Sequence, residues 1–248
     1  MSLEDLKNII DNSENIVFLG GAGVSTESNI PDFRSNNGLY KAKNNLKYSP
    51  EAMLSHSFFK KHTEEFFQFY KNQMIYKNAK PNLAHHALTE LEKMGKLKAI
   101  ITQNIDGLHQ LAGSKNVLEL HGSVHRNYCV DCNEKYDLEY ILDAKNNNNK
   151  DIPRCKKCGG IVRPDVVLYE EGLDMNIVNK AIYYVENADV FIVGGTSLVV
   201  YPAAGLVNYY KGKKLVLINK GETSYDKGAN LVIHDSIGTV LEKSILKN

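Results

Sequence analysis

Five short apolar runs, each ending in glycine or a small polar residue, constrain this chain more than any other feature. They are Ile16 to Leu19, "LKAIIT", "NVLELHG", "ADVFIVGG" and "KKLVLIN". Each is bounded by turn residues and is too short for a buried helix, so each reads as a strand covered on both faces. Helical patterns lie between them. Leu3, Leu6, Ile9 and Ile10 share one face, and Phe58 to Tyr76 reads as one helix. "KPNLAHHALTELEKMGK" starts on Pro81 and Asn82 and stops at Gly95. Met175 to Glu186, "PAAGLVNYYKG" and Ser236 to Leu246 are further helices, and "ANLVIHD" is one more short strand. Such alternation predicts an α/β fold with a parallel sheet, whose ligand binds beyond the carboxyl ends of the strands.

Those ends carry Gly20-Gly21-Ala22-Gly23, Gln103-Asn104-Ile105-Asp106, His121-Gly122, Gly194-Gly195-Thr196-Ser197 and Asn219. Glycines let backbone N–H groups approach a pyrophosphate, but the same turn also serves a strand-to-helix junction with no ligand. His121 is either a general base or a strand-end histidine satisfied by the backbone. Asn104 and Asp106 either meet a ligand or cap the following helix.

Four cysteines fall as Cys129-x-x-Cys132 and, 22 residues on, Cys155-x-x-Cys158. Two such knuckles predict one tetrahedral zinc, with disulfides or a redox pair as the competing readings. The N-terminal "MSLEDLKNIIDNSEN" is too short and too acidic for a signal peptide, which disfavours disulfides. Four thiolates leave no position for a catalytic water, so the metal is expected to be structural, with an insert from about Gly122 to Arg163 folding around it.

A formal net charge of +1 gives no global field toward nucleic acid or a membrane surface. No apolar run approaches the roughly 20 residues of a membrane span. A cytoplasmic monomer with neither nucleic-acid nor membrane partners is expected. The polar stretch Asn29 to Tyr48 and the "NNNNK" run at Asn146 to Lys150 read as loops. Only four arginines occur among many lysines: Arg34, Arg126, Arg154 and Arg163. Arginine is favoured where a planar fork of donors is needed, which draws attention to Arg34.

With "GAGVS", "IPDFRS", "TQNIDGLH", "ELHGS", the cysteine pairs, "GTSLVVYPA" and "VLIN" assembled, the chain resembles the sirtuins, NAD-dependent protein lysine deacylases, over nearly its full length. The resemblance implies a Rossmann-like parallel-sheet domain (residues 1–37, 81–121 and 163–248). It also implies a smaller domain with a helical part (38–80) and a zinc-ribbon part (122–162). NAD is then consumed rather than reduced, and zinc is structural, one per chain. The implied NAD contacts are Ala22, Thr26, Phe33, Arg34, Gln103, Ile105 and Asp106, with Thr196, Ser197, Asn219 and Ile237 on the adenosine side. Asp106 would accept from the nicotinamide carboxamide, Asn104 would contact the ribose or order a water, and His121 would be the catalytic base. The implied reaction turns acetyl-lysine and NAD into lysine, nicotinamide and O-acetyl-ADP-ribose. An acetylated peptide would lie as an added strand between Val166–Tyr169 and Leu198–Pro202.

Two departures stand out: Gly20 where relatives often carry threonine, and Glu170-Glu171 where many carry Gly-Glu. The latter pair is expected to favour basic substrate residues. Relatives that prefer succinyl groups carry Tyr-x-x-Arg on a small-domain helix. Here that segment reads Tyr70-Lys71-Asn72-Gln73, so acetyl and longer neutral acyl groups are expected. Mono-ADP-ribosyl transfer and a non-catalytic zinc-ribbon binding module are the alternative functions.

Overall fold

A computed structural model describes residues 3–33, 38–39, 47–147 and 151–246. Arg34, much of the stretch from Asn29 to Tyr48, and Asn148 to Lys150 lie outside the described residues. The chain opens with helix α1 (Leu3–Asp11) and strand β1 (Ile16–Gly20), and short helices α2 (Pro50–Met53), α3 (His56–Lys61) and α4 (Thr63–Gln73) follow. Next come α5 (Leu83–Lys93), β2 (Leu97–Thr102), α6 (Leu108–Ala112) and β3 (Val117–Glu119). An excursion of β4 (Gly122–Cys129), β5 (Lys135–Tyr136), α7 (Leu138–Leu142) and β6 (Val162–Val166) precedes α8 (Met175–Asn187). The chain closes with β7 (Val190–Gly194), β8 (Leu215–Ile218), β9 (Leu231–Ile233) and α9 (Ile237–Leu241).

Six strands form one parallel sheet in the order β3-β2-β1-β7-β8-β9. Strand side chains alternate between its two faces, as a period of two requires. Ile16, Phe18, Ile100, Val190, Ile192, Val216 and Ile218 join a core with Leu6, Leu88 and Leu241, from α1, α5 and α9. Val17, Leu19, Ile101, Phe191, Val193 and Leu217 join the opposite core with Ala181 and Val185 of α8. The expected Rossmann-like architecture is present. A second sheet, β5-β4-β6, is antiparallel and carries Cys129 at the end of β4, with the other three cysteines in the segments between its strands. Its strand β6 runs to Val166, and a third core of aromatic residues lies between it and α2 to α4.

Three helices differ from expectation, the last of them because α9 passes into a π-helix over Glu242–Leu246. The run from Phe58 to Tyr76 breaks at His62 (φ −131°, ψ 49°), giving α3 and α4. The break brings Phe59 to Phe66 edge-on at 5.0 Å and stacks Phe58 on His62 at 4.8 Å. The segment after Pro202 winds as a 3₁₀ helix over Ala203–Tyr209 rather than an α-helix. Its buried residues Ala203, Ala204, Leu206 and Val207 pair at a spacing of three, which a three-residue turn stacks on one face. Among the described residues no helix is long and apolar enough to cross a membrane.

Candidate active site

Strands β1 and β7 are neighbours from which the chain's connections depart in opposite directions, and this switch point is where ligands of such sheets sit. Gly20 pairs with Gly194 there. The two glycine turns, separate in sequence, are one unit. Gly21 N donates to Gly194 O at 3.2 Å and Gly23 N to Gly195 O at 2.8 Å. Gly195 holds φ +60°, and a Cβ on Gly23 would stand 2.7 Å from the Gly195 Cα. Only glycine at both positions allows this approach. Asn82, which caps α5, braces the turn by donating from Nδ2 to Val24 O at 2.8 Å.

A cavity of about 460 Å³ opens beside the turns, lined by Gly23, Thr26, Asp32, Gly195, Asn219 and Ile237 among others. Thr26 Oγ1 donates to Gly23 O (2.9 Å), and Asn219 Nδ2 to Gly221 O (2.7 Å). Gln103 Nε2 donates to Thr196 Oγ1 at 3.1 Å, tying the end of β2 to the second glycine turn. Ala22 is half-buried in the first turn and Ser197 exposed in the second. Ile105 and Phe33 pack on the aromatic core of the smaller lobe.

His121 Nδ1 lies 2.9 Å from Gln103 O. A carbonyl can only accept, so Nδ1 carries the hydrogen and Nε2 keeps its lone pair. Burial pushes the His121 pKa down, partly opposed by the bond to Gln103, so the ring is held neutral. Asp106 is fixed at both carboxylate oxygens: Leu108 N donates to Oδ1 at 2.9 Å and Ser25 Oγ to Oδ2 at 2.7 Å. Burial pushes the Asp106 carboxyl up. Asn104 Nδ2 donates to the same Ser25 hydroxyl at 3.1 Å. Ser25, 1% exposed, is the hub that sequence reasoning missed. Its signal was a lone hydroxyl inside "GAGVS", but its partners lie about eighty residues away. Asp106 does accept the first backbone N–H of α6, as the capping reading expects.

The four cysteine sulfurs all lie within 4.8 Å of one another. Three of the separations are 3.4, 3.6 and 3.4 Å. A tetrahedron with Zn–S bonds of about 2.3 Å has edges near 3.8 Å, so the donor set suits zinc. Each knuckle is followed by a left-handed residue, Asn133 (φ 58°) or Gly159 (φ 77°). The Tyr136 hydroxyl lies 3.1 Å from Cys155 Sγ.

Glu171 is occupied by partners within the chain, while exposed Glu170 has one of its oxygens engaged. Glu170 accepts from Ser57 N at 2.8 Å at the start of α3. Glu171 receives Arg163 at both oxygens (2.6 and 3.0 Å), with Leu168 N (2.9 Å) and His56 Nδ1 (2.8 Å) beside them.

A doubly wound sheet with paired glycine turns at its switch point, a neutral, half-buried imidazole just past β3 and a four-thiolate ribbon defines a dinucleotide-binding protein of the α/β class. The Sir2 family model matches residues 21–202. An NAD-dependent protein deacetylase of Clostridium tetani is 71% identical over 238 residues, covering 96% of this chain and 95% of the relative. The corresponding protein of Clostridium acetobutylicum is 65% identical over 243 residues, covering 98% of each. Among solved structures, Sir2 with a p53 peptide and NAD+ superposes with a TM-score of 0.86 at 40% identity, covering 98% of this chain and 97% of that one. Sir2 bound to an acetylated peptide gives the same TM-score, identity and coverage. The chain belongs to the Sir2 family.

Proposed function

We propose that the protein is an NAD-dependent protein-lysine deacetylase, converting acetyl-lysine and NAD into lysine, nicotinamide and O-acetyl-ADP-ribose. The observation that carries the reading is His121: a half-buried imidazole with Nδ1–H spent on the carbonyl of Gln103, whose own side chain is tied to the second glycine turn, and Nε2 left as a base. That arrangement gives a base that is unprotonated near neutral pH, which removal of a ribose hydroxyl proton requires.

The other roles follow from what each group can donate or accept. Gly21, Ala22 and Gly23 supply the approach for a pyrophosphate. Thr196, Ser197, Asn219 and Ile237 flank the adenosine half, Gln103 and Asn104 the ribose, and Thr26, Phe33 and Arg34 are further NAD contacts. Ile105 gives an apolar wall to the nicotinamide, and Asp106 an acceptor to its carboxamide. Exposed Tyr169, Val199 and Tyr201 lie on the two segments assigned to an acetylated peptide. Zinc is held by Cys129, Cys132, Cys155 and Cys158 and supplies the fold of the ribbon rather than chemistry. We keep the two-lobe division, with residues 163–166 paired into the ribbon through β6. We place the activity in the cytoplasm, where reducing conditions keep four zinc-binding thiols available, and assign it to a monomer without nucleic-acid or membrane partners.

Incubating the protein with NAD and an acetyl-lysine peptide tests the reading. Nicotinamide release that depends on the acetyl group is the expected result. Acyl-independent labelling of protein would instead identify an ADP-ribosyltransferase, and no loss of NAD a binding protein.

A further inference from the structure

The ribbon strand β4 reaches across to the loop after β2 at two consecutive carbonyls. Val124 N donates to Ile105 O at 3.0 Å, and His125 Nε2 lies 3.0 Å from Asp106 O. A carbonyl only accepts, so this imidazole donates through Nε2–H. The ring also rests on Gly107, which holds φ +73°. A Cβ on Gly107 would stand 2.7 Å from His125 Cδ2 and 2.9 Å from Nε2, so glycine is needed under the ring as well as for the turn. His125 is exposed and its backbone N is held by Ser123 Oγ at 3.3 Å. The carboxylate of Asp106 is already fixed by Leu108 N and Ser25. His125 fixes the other end of the same residue.

We propose that His125 is a positioning residue for the nicotinamide-side loop: its hydrogen bond to the Asp106 carbonyl holds Ile105 to Gly107 in the conformation that retains nicotinamide. It touches no substrate. Its effect is therefore on nicotinamide recapture, and so on product inhibition and base exchange, rather than on the acetylated peptide. The inference rests on the assignment of Asp106 as acceptor for the carboxamide.

The test uses the full-length, zinc-loaded protein. Nicotinamide inhibition of deacetylation, exchange of labelled nicotinamide into NAD, peptide KM and zinc content are measured for the parent, His125→Ala, His125→Gln and Asp106→Asn. His125→Ala should raise the nicotinamide inhibition constant about three- to tenfold, the worth of one hydrogen bond, with peptide KM and zinc content unchanged. His125→Gln should restore inhibition to within about twofold, since its amide nitrogen stands where imidazole Nε2 does. If Asp106→Asn alters inhibition and His125→Ala does not, the positioning role is overturned while the Asp106 assignment stands. Equal losses in the alanine and glutamine variants would overturn it in favour of ring packing on Gly107. If Asp106→Asn leaves inhibition unchanged, the Asp106 assignment falls and the inference with it.

Discussion

Replacing Glu171 by glutamine removes one charge from a largely buried cluster and leaves its shape. The side chains of Arg163 and Glu171 are 9% and 20% exposed. Arg163 also donates to Val166 O (3.0 Å) and Pro164 O (3.2 Å) and lies over the rings of Phe59 and Tyr128. Burial pushes the Glu171 carboxyl up, but the bonds from Arg163, Leu168 N and His56 outweigh it and hold the group at about 2. Against an ordinary value near 4.3, that is roughly 3 kcal/mol in favour of the charged form. A fifth of the side chain meets water, so screening reduces the contribution to about 2 kcal/mol. Because the folded value is depressed, this stabilisation is fully present above the ordinary carboxyl range and is lost as pH falls toward 2. At pH 7 to 8.5, then, Glu171→Gln should lower Tm by roughly 4–8 °C, at about 2–4 °C per kcal/mol for a chain of this size. Thermal melts of the zinc-saturated proteins measure it. The variant should also raise peptide KM severalfold with NAD KM retained, because Leu168 N loses its carboxylate beside the proposed peptide strand. A Tm within 1 °C of the parent would refute the energetic reasoning.

His121→Ala should lower kcat by about 10²–10⁴-fold in a protein that still folds and holds zinc. In the parent, the acidic limb of kcat/KM should lie below histidine's ordinary value of about 6.5, since burial lowers the His121 pKa and the base form persists to lower pH; a limb at or above that value contradicts the assignment. Metal analysis should find one zinc per chain, and Cys155→Ala should lose metal, solubility and activity together, because binding and folding of such ribbons are coupled. Acetyl-lysine should exceed succinyl-lysine in kcat/KM on one peptide sequence. Tyr70 is fully buried against Phe66, Gln73 is neutral, and Lys71 and Lys77 are engaged with Asp151 and Glu139, so none of these described residues offers an unengaged counter-charge to a distal carboxylate.

The sheet was legible because each strand carries its own evidence: an apolar run, a glycine or polar stop, and alternation that sends Ile16 and Phe18 to one core and Val17 and Leu19 to the other. The zinc site was legible for the same reason, as its ligands come in two local pairs. What stayed hidden depends on partners distant in sequence. The break at His62 is set by aromatic packing between α3 and α4, not by a helix breaker. Ser25 carries no local signal beyond its hydroxyl, and its role shows only where Asn104 and Asp106 are brought to it. Glu170 and Glu171 read as a pair of substrate-facing charges, yet one meets the start of α3 and the other meets Arg163. Arginine's planar fork of donors drew attention to Arg34 and not to Arg163. The described residue that uses it on both oxygens of one carboxylate is Arg163, while Arg34 lies outside the described residues.

These long-range contacts tie the four-cysteine cluster to both halves of the proposed site. Cys129 closes β4, and the Cys155–Cys158 knuckle leads into β6, which pairs with β4. Through Val124 and His125, β4 holds the loop of Ile105 and Asp106. Through Arg163 and Glu171, β6 holds Leu168 and the start of α3, while Tyr169 N donates to Leu54 O at 3.0 Å. Val167 N in turn donates to His121 O at 3.0 Å, next to the proposed base. The two ribbon strands thus reach the proposed nicotinamide loop and the proposed peptide segment. Loss of the thiolate cluster frees the far ends of both strands at once. Nicotinamide affinity and peptide KM should therefore fail together on zinc removal, whereas the His125 and Glu171 variants separate them.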